Sequence, residues 1–545
     1  MKYALNLLIV LAFCTALQAQ SPKYEVRAVW LTTLNGLDWP RSHGRERQQQ
    51  ELCATLDCLR SAGVNTVLLQ TRVRATTIYP SDLEPWDGCL TGTPGRHPGY
   101  DALQFCIDEC HKRGMELHAW VVTIPVGKWN ALGCRELRKK YPKLLRKIGD
   151  EGYLDPEQPE TSRYLARICR EIVSRYDVDG IHLDYIRYPE TWRLKTSRQQ
   201  GRSHITRIVR AVSEAVKAGK PWVKMSCSPI GKHDDLLRYR SGGWNARTAV
   251  CQDAQQWLRD GLMDELFPMM YFRDNQFFPF AIDWQEQAAG RIVCPGLGIY
   301  FLDPREGRWQ LSDVVRQLYV TRQIGVGHCY FRSKFLTDDV KGLCQFVRQF
   351  DAVPALVPPM TWYDTQPPSA PTRLTLRGQR LEWGGAADHS GAPYLLYNIY
   401  ASRHNPVDTD DAACLIATRL QATSLVVPDV PGMHYAVTAI DRYGLESEAR
   451  QLHPVAHATS ADSYWHTDDV TRSDGHWLRL PKKDNTLDAD FIMVETLAGQ
   501  TLGTFAYSGD VIDVSRLPEG VFALRSLGRK GRNHRLGFFT IKRSH

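Results

Sequence analysis

Strand-like and helix-like runs alternate eight times between Tyr24 and about Phe350, and that rhythm limits the architectures open to the chain. The runs that read as strands are Glu25–Thr33, Asn65–Arg72, Glu116–Val122, Gly180–Ile186, Val223–Pro229, Asp264–Tyr271, Val293–Tyr300 and Gly327–Arg332. Helical periodicity fills the gaps, as in Glu46–Ala62, Tyr100–Arg113, Glu160–Tyr176, Ser203–Ala218, Leu311–Gln323 and Asp338–Arg348. Such a series predicts an α/β chain with a (β/α)8 barrel, a TIM barrel, over residues 21–362. An open doubly wound sheet is the rival, but no glycine-rich phosphate loop follows the first run.

At 545 residues the chain exceeds one core. The texture changes near Val353, where Pro354, Pro358, Pro359, Pro367, Pro368 and Pro371 predict a stiff, extended linker and an independent barrel before it. Short alternating runs then predict a small β-sandwich over 363–455 and a second over 460–545. Ahead of the barrel, Lys2, the apolar run Ala4–Leu17 and the small Ala19 read as a secretory signal over 1–20. The expected location is therefore the periplasm, the cell surface or the medium. Cys14 opens a lipid-anchored alternative, although Phe13 is bulky where a lipobox takes a small residue. No later segment is apolar enough to span a bilayer. The net charge of +8 gathers near the C-terminus (Arg525, Arg529, Lys530, Arg532, Arg535, Lys542, Arg543). It reads as a solvated basic edge or as attraction to an acidic envelope polymer; nucleic acid is not an expected partner. The 14 cysteines are scattered, and Cys106, Cys110 and His111 lack a second ligand cluster, so neither metal nor cofactor is expected.

A barrel of this kind works at the C-terminal ends of its strands. Read there, strand 1 delivers Trp30, strand 2 Gln70 and Arg72 with Trp86 beyond, and strand 3 His118 and Trp120. Strand 4 delivers His182 and Asp184, then Arg187 and Tyr188; strand 6 ends at Tyr271 with Asp274 just past it, and strand 7 at Tyr300. His182 and Asp184 share one strand face, and an inward carboxylate is costly unless paired or functional. Asp179, at the strand's entry before Gly180, reads as a turn residue.

Several segments resemble the glycosyl-hydrolase-like family 10 group: Glu25 through Trp30, Tyr79-Pro80-Ser81 with Glu84-Pro85-Trp86, Leu117-His118-Ala119-Trp120, Tyr153 through Pro156, and Asp179 through Pro189. The resemblance spans nearly the whole barrel. It implies a (β/α)8 fold, an envelope location and action on a glycan, with bacterial peptidoglycan strands among the expected partners. It places the family's strand-4 Asp on Asp184, its His-Ala-Trp on His118 and Trp120, and its strand-2 Gln and Arg on Gln70 and Arg72. The chain departs from the group after Trp120, where Val121, Val122 and Thr123 replace an Asn-Pro pair, and before Ile78, where Thr76 and Thr77 replace an Asp. Trp383, Tyr397, Tyr435 and Asp441 to Gly444 resemble a fibronectin type III module, and Ile512 to Phe522 resembles a C-terminal sorting sandwich.

Glycosidase chemistry takes two carboxyl groups. Asp184 is the expected first. The second stays open among Asp274, Glu190, Asp155 and Asp38, with Asp274 taken as the choice. The remaining rim residues (Gln70, Arg72, His118, Trp120, His182, Arg187, Tyr188, Tyr271, Trp30, Trp86 and Tyr300) are expected to bind substrate. Asp179-Gly180 with Asp184, and Met270-Tyr271, faintly echo family 18 chitinases, in which a strand-4 Asp orients an acetamido group; a Glu follows there where Ile186 stands here. A non-catalytic glycan-binding protein on a degenerate barrel is the alternative.

Overall fold

The computed structural model describes residues 21–239 and 241–452 and, of the C-terminal stretch, segments between 477 and 541. The proposed signal over 1–20, with Cys14, lies outside the described residues. Eight parallel strands form the barrel: β1 (Arg27–Leu31), β2 (Thr66–Arg72), β3 (Glu116–Val122), β4 (Gly180–Asp184), β5 (Lys224–Cys227), β6 (Glu265–Leu266 with Met269–Met270), β7 (Ile292–Val293 with Gly296–Leu297) and β8 (His328–Tyr330). Arg27 of β1 pairs with His328 of β8 and Cys329 pairs with Gly296 of β7, so the ring closes. The ladders of β6 and β7 lapse at Pro268 and Pro295, which have no N–H to give. They resume where Met269 N–H donates to Pro229 O and Gly296 N–H to Pro268 O, both at 2.8 Å. The eight expected strands are all present, but β7 stops early: Tyr300 stands on a 3-10 turn, Ile299–Leu302.

Alternation sorts the strand residues. Ala28, Trp30, Leu68, Trp120, Phe267 and Cys294 fill the interior, while Val29, Val67, Leu117, Ile181 and Met225 face the helical sleeve. In that sleeve, helix Arg198–Gly219 opens on a Ser197/Gln200 capping box and buries Ile205, Ile208, Val209, Val212 and Val216 against the strands. Cys106 and Cys110 are buried in the same sleeve, and the His111 ring is bound to Asp179 at 2.8 Å.

The proline-rich segment is not a free linker. Leu356 exchanges backbone hydrogen bonds with Lys23 and Glu25 (2.8 and 2.9 Å), and the Trp362 indole donates to Asp264 at 2.9 Å. It leads into two facing antiparallel sheets. One has three strands (Leu374–Arg377, Arg380–Trp383, Ser424–Val426); the other has four (Leu415–Leu420, Leu396–Ser402, His434–Ile440, Arg450–Gln451). Trp383, Tyr397, Ile399 and Val437 pack between them. Farther on, the described C-terminal strands pair as Trp477–Arg479 with Val511–Asp513, and as a four-stranded sheet of Thr501–Ala506, Ala489–Thr496, Gly520–Gly528 and Asn533–Ile541.

The first sandwich closes the floor of the barrel. Arg419 sits at a β-bulge with φ 55°, a left-handed conformation costly for a side chain. Its guanidinium meets Glu116 at 2.9 Å and Asp179 at 2.6 Å. Arg442 reaches Asp177 at 2.8 Å and Asp179 at 3.3 Å. Asp179 is thus a buried ionic anchor rather than a turn residue, and the expected independence of the barrel is corrected, because its floor borrows charge from a later module. Lys224 joins Glu116 from β5 at 2.9 Å.

Glu265 is the exception in this floor. Neither of its carboxylate oxygens has a hydrogen-bond donor, and the His118 ring lies 3.6 Å away. Burial pushes its carboxyl up to about 7. The folded state therefore holds this proton more tightly than the unfolded chain, and stability is lost as pH rises from about 4.5 through about 7. Glu265→Gln removes that liability. We expect equal stability at pH 5 and a gain of about 1–3 kcal/mol over the natural protein at pH 8, read from denaturant midpoints. A variant less stable at both pH values counts against it.

Candidate active site

Asp184 ends β4, at the mouth of the barrel. Its Oδ1 accepts the Ser228 hydroxyl at 2.7 Å and the Tyr185 N–H at 2.8 Å; its Oδ2 accepts the Trp120 indole at 3.1 Å. The Tyr185 contact requires a positive φ of 53° at that residue, a strained turn of the kind found where a side chain is held for use. Burial raises the Asp184 carboxyl above its ordinary value, against the pull of the Ser228 hydroxyl and the Arg187 charge. Ser228, just past the end of β5, is thus a donor to the neighbouring strand's carboxylate.

Beside Asp184 opens a cavity of about 460 Å³ whose lining includes Arg187, Tyr271, Lys232, Trp244 and Phe272. Arg187 Nε and the Tyr271 hydroxyl are buried there without a hydrogen-bond partner, which is uncommon for buried polar atoms. The Tyr271 ring packs on Phe331 at 5.0 Å and edge-on to Tyr300 at 5.7 Å. Trp244 is 47% exposed. It lies in the loop after β5, where strand-end reasoning does not look; the flexible pair Gly242-Gly243 before it was the available signal.

Other expected rim residues stand elsewhere. His118 is in the floor, bound to Glu116 at 3.1 Å, because it sits low on β3, level with Gly180. His182 lies one layer below Asp184, accepting the Trp30 indole at 3.2 Å and contacting the Ser226 hydroxyl at 3.0 Å; burial holds it well below the usual imidazole range, so it is neutral. Trp30 and His182 are thus interior packing, not rim. Gln70 accepts the Thr33 and Leu34 N–H groups at 3.0 and 2.7 Å and fixes the loop after β1. Arg72 is buried, forked onto Glu84 at 2.6–3.0 Å and bonded to the Val122 and Thr123 carbonyls, which ties β2 to β3. The Tyr188 hydroxyl meets His204 at 3.1 Å on the outer helix. Trp86 packs on His97, 4.9 Å between ring centres, in the loop after β2.

The acids divide similarly. Asp274 is exposed and pairs with Arg316 at 3.3 Å, so its polar end is spent on an outer helix rather than on Asp184. Glu190 pairs with Arg187 at 2.7 Å, Asp155 with Arg146 at 3.0 Å, and Asp38 with Arg332. None of them shares a donor with Asp184 in the hydrogen bonds described. Among the described residues no group of three or more His, Cys, Asp or Glu is arranged to hold a metal ion, and no helix is long and apolar enough to cross a membrane.

Trp120 is 4% exposed, too covered to be a sugar platform, and serves as a donor to Asp184. Trp120→Phe removes that donor, so the Asp184 carboxyl rises further. The acidic limb of a pH–rate profile is expected to move up by about 0.5–1 unit. An unmoved limb would show that the indole does not tune the carboxylate.

The chain matches the glycosyl hydrolase-like 10 family over residues 25–200 and 196–300. It is similar to the glycosyl hydrolase YngK of Bacillus subtilis (strain 168), 29% identical over 407 residues that cover 66% of this chain and 78% of that one. It is also similar to the glycosyl hydrolase DigH of Escherichia coli (strain K12), 34% identical over 293 residues, 46% of this chain and 67% of that one. Among solved structures, the PgaB (BpsB) glycoside hydrolase domain from Bordetella bronchiseptica aligns with a TM-score of 0.42 at 14% identity, over 60% of this chain and 98% of that one.

Proposed function

Because the chain belongs to the glycosyl hydrolase-like 10 family, we propose that it is an exported glycoside hydrolase that cleaves O-glycosidic bonds in a bacterial cell-wall glycan or another polysaccharide, with Asp184 as its central carboxylate. The observation that carries this reading is the join of two features: a buried carboxylate held by three donors, and beside it a cavity with two unpartnered polar atoms. Such atoms are costly in isolation and are satisfied when a polar ligand enters.

The four acids weighed as a partner, Asp274, Glu190, Asp155 and Asp38, each stand in an ion pair with an arginine. That favours a form in which the substrate supplies its own nucleophile: Asp184 orients an acetamido group whose oxygen attacks the anomeric carbon, Tyr271 donates its free hydroxyl to that group, and a loop carboxyl gives the leaving oxygen its proton. A carboxyl raised by burial suits that task, since it can hold or share the amide proton. The three-plus-four sheet arrangement of the first sandwich supports reading 363–455 as fibronectin type III-like; 460–545 is read as sorting-domain-like, and 1–20 as the export signal.

The test is release of reducing ends from peptidoglycan strands and a polysaccharide panel by the full chain, with Asp184→Asn as control. Cleavage that depends on Asp184 supports the reading. Binding without cleavage by the natural protein overturns it in favour of a glycan-binding barrel.

A further inference from the structure

We infer that Cys58 and Cys344 are a thiol pair that reacts with an external disulfide and closes into a covalent bond between the first and last helices of the barrel. Cys58 sits on helix Arg45–Ser61, which follows β1, and Cys344 on helix Leu343–Phe350, which follows β8. β1 and β8 pair where the ring closes, and the two helices meet over that seam, with Arg348 Nε donating to the Ser61 hydroxyl at 3.1 Å. Every described cysteine is a free thiol. All but Cys58 are held above the ordinary thiol value, most of them by burial, which makes them inert.

Cys58 departs from the rest because of what faces it. The Cys344 thiol donates to its sulfur, and Arg348 Nη2 lies 3.8 Å away. Against burial and the Asp339 carboxylate, these two bring the Cys58 thiol down to about 7, while Cys344, the donor, is held up. Asp339 is engaged at the start of the second helix, accepting the N–H groups of Cys344 and Gln345 at 2.7 and 3.1 Å. Cys58 is only half-buried, whereas Cys344 is 3% exposed, and that difference assigns their roles. The Cys58 thiolate attacks one sulfur of the external disulfide, forming a mixed disulfide and expelling a thiolate. Cys344 gives its proton to that thiolate, and its sulfur attacks Cys58 Sγ. The second half of the reagent leaves as a thiolate and takes the proton that Cys58 released on ionising. Two protein thiols are oxidised, and one disulfide is reduced to two thiols. Cys53, on the same helix and also half-buried, is the internal contrast: its thiol meets Glu109 at 3.5 Å, and burial together with that carboxylate pushes it up.

The probe is oxidised glutathione, added at pH 7 to the full-length protein after reduction and desalting. Thiols are located by alkylation and peptide mass spectrometry. A Cys58–Cys344 bond is expected, with Cys53 left free. In the reduced protein at pH 7, iodoacetamide should label Cys58 at least about fivefold faster than Cys53. Arg348→Met removes the cation, so the pH of half-maximal Cys58 labelling should move up by about 0.5–1 unit. Cys344→Ser keeps the attacking thiol and removes the second one, so glutathione should remain on Cys58. Glutathione that accumulates on Cys58 of the natural protein without the internal bond overturns the pair. Labelling of Cys58 no faster than that of Cys53 overturns it as well.

Discussion

Asp184→Asn is expected to lower kcat on any cleaved glycan by at least about 10³-fold while the protein stays folded. The substitution keeps volume and removes the ionisable group. Its amide oxygen can still accept from Ser228 and from the Tyr185 N–H, but the amide nitrogen then faces the Trp120 N–H, donor against donor. One lost hydrogen bond with a buried donor left facing it costs about 1–2 kcal/mol. Against this, the natural carboxylate is itself disfavoured by burial, so the melting temperature should move by only a few degrees. Single-turnover assays with a melting curve decide the matter. Full activity in a folded variant takes Asp184 out of the chemistry, and an unfolded variant calls for Ser228→Ala, which leaves the charge and strips one donor.

Arg419→Met should destabilise the whole protein by about 2–4 kcal/mol at pH 7, although the residue lies far in sequence from the barrel. It removes one cation from two buried carboxylates, Glu116 and Asp179. Lys224 and His118 still attend Glu116, and His111 and Arg442 still attend Asp179, which keeps the loss below that of a fully orphaned charge. The pH dependence follows from the sign of the shifts. Glu116 is held down at about 2, with Asp179 also well below its usual range, so the stabilisation is complete above about 4.5 and is lost as pH falls through that window. The gap between variant and natural protein should therefore close toward pH 2–3. The double variant Glu116→Gln/Arg419→Met tests the pairing, since its cost should fall short of the sum of the singles. A barrel truncated at residue 362 loses Arg419 and Arg442 together, and we expect it to aggregate rather than act alone.

The eight-fold alternation was legible because a parallel barrel demands apolar runs at regular spacing, and Asp184 was legible because an inward charge in such a run is expensive. The height of a residue along its strand was not. His118 and Trp120 belong to one tripeptide on one face, yet the first lies in the floor beside Glu116 and the second touches Asp184 at the mouth. A period of two tells which side a residue faces and nothing about the layer, which depends on strand stagger. Arg72 and Gln70 were hidden for another reason: their partners, Glu84 and the N–H groups of Thr33 and Leu34, come from loops whose course no periodicity encodes. Trp244 and Lys232, in an irregular loop after β5, were invisible to strand-end reasoning altogether.

The borrowed floor also sets a clock on the molecule's assembly. Glu116 must wait for a guanidinium 303 positions later in the chain, and Asp179 for one 240 positions later. During synthesis from the N-terminus, all eight strands emerge before Arg419 does, so until the sandwich follows them the floor carboxylates lack that cation. Contacts of such sequence separation form late and slowly. The left-handed bulge that aims Arg419 is a local feature of the sandwich, which allows the plug to be shaped before it docks. We expect folding to end with Arg419 of the sandwich docking on Glu116 and Asp179 rather than with the closure of the last strand.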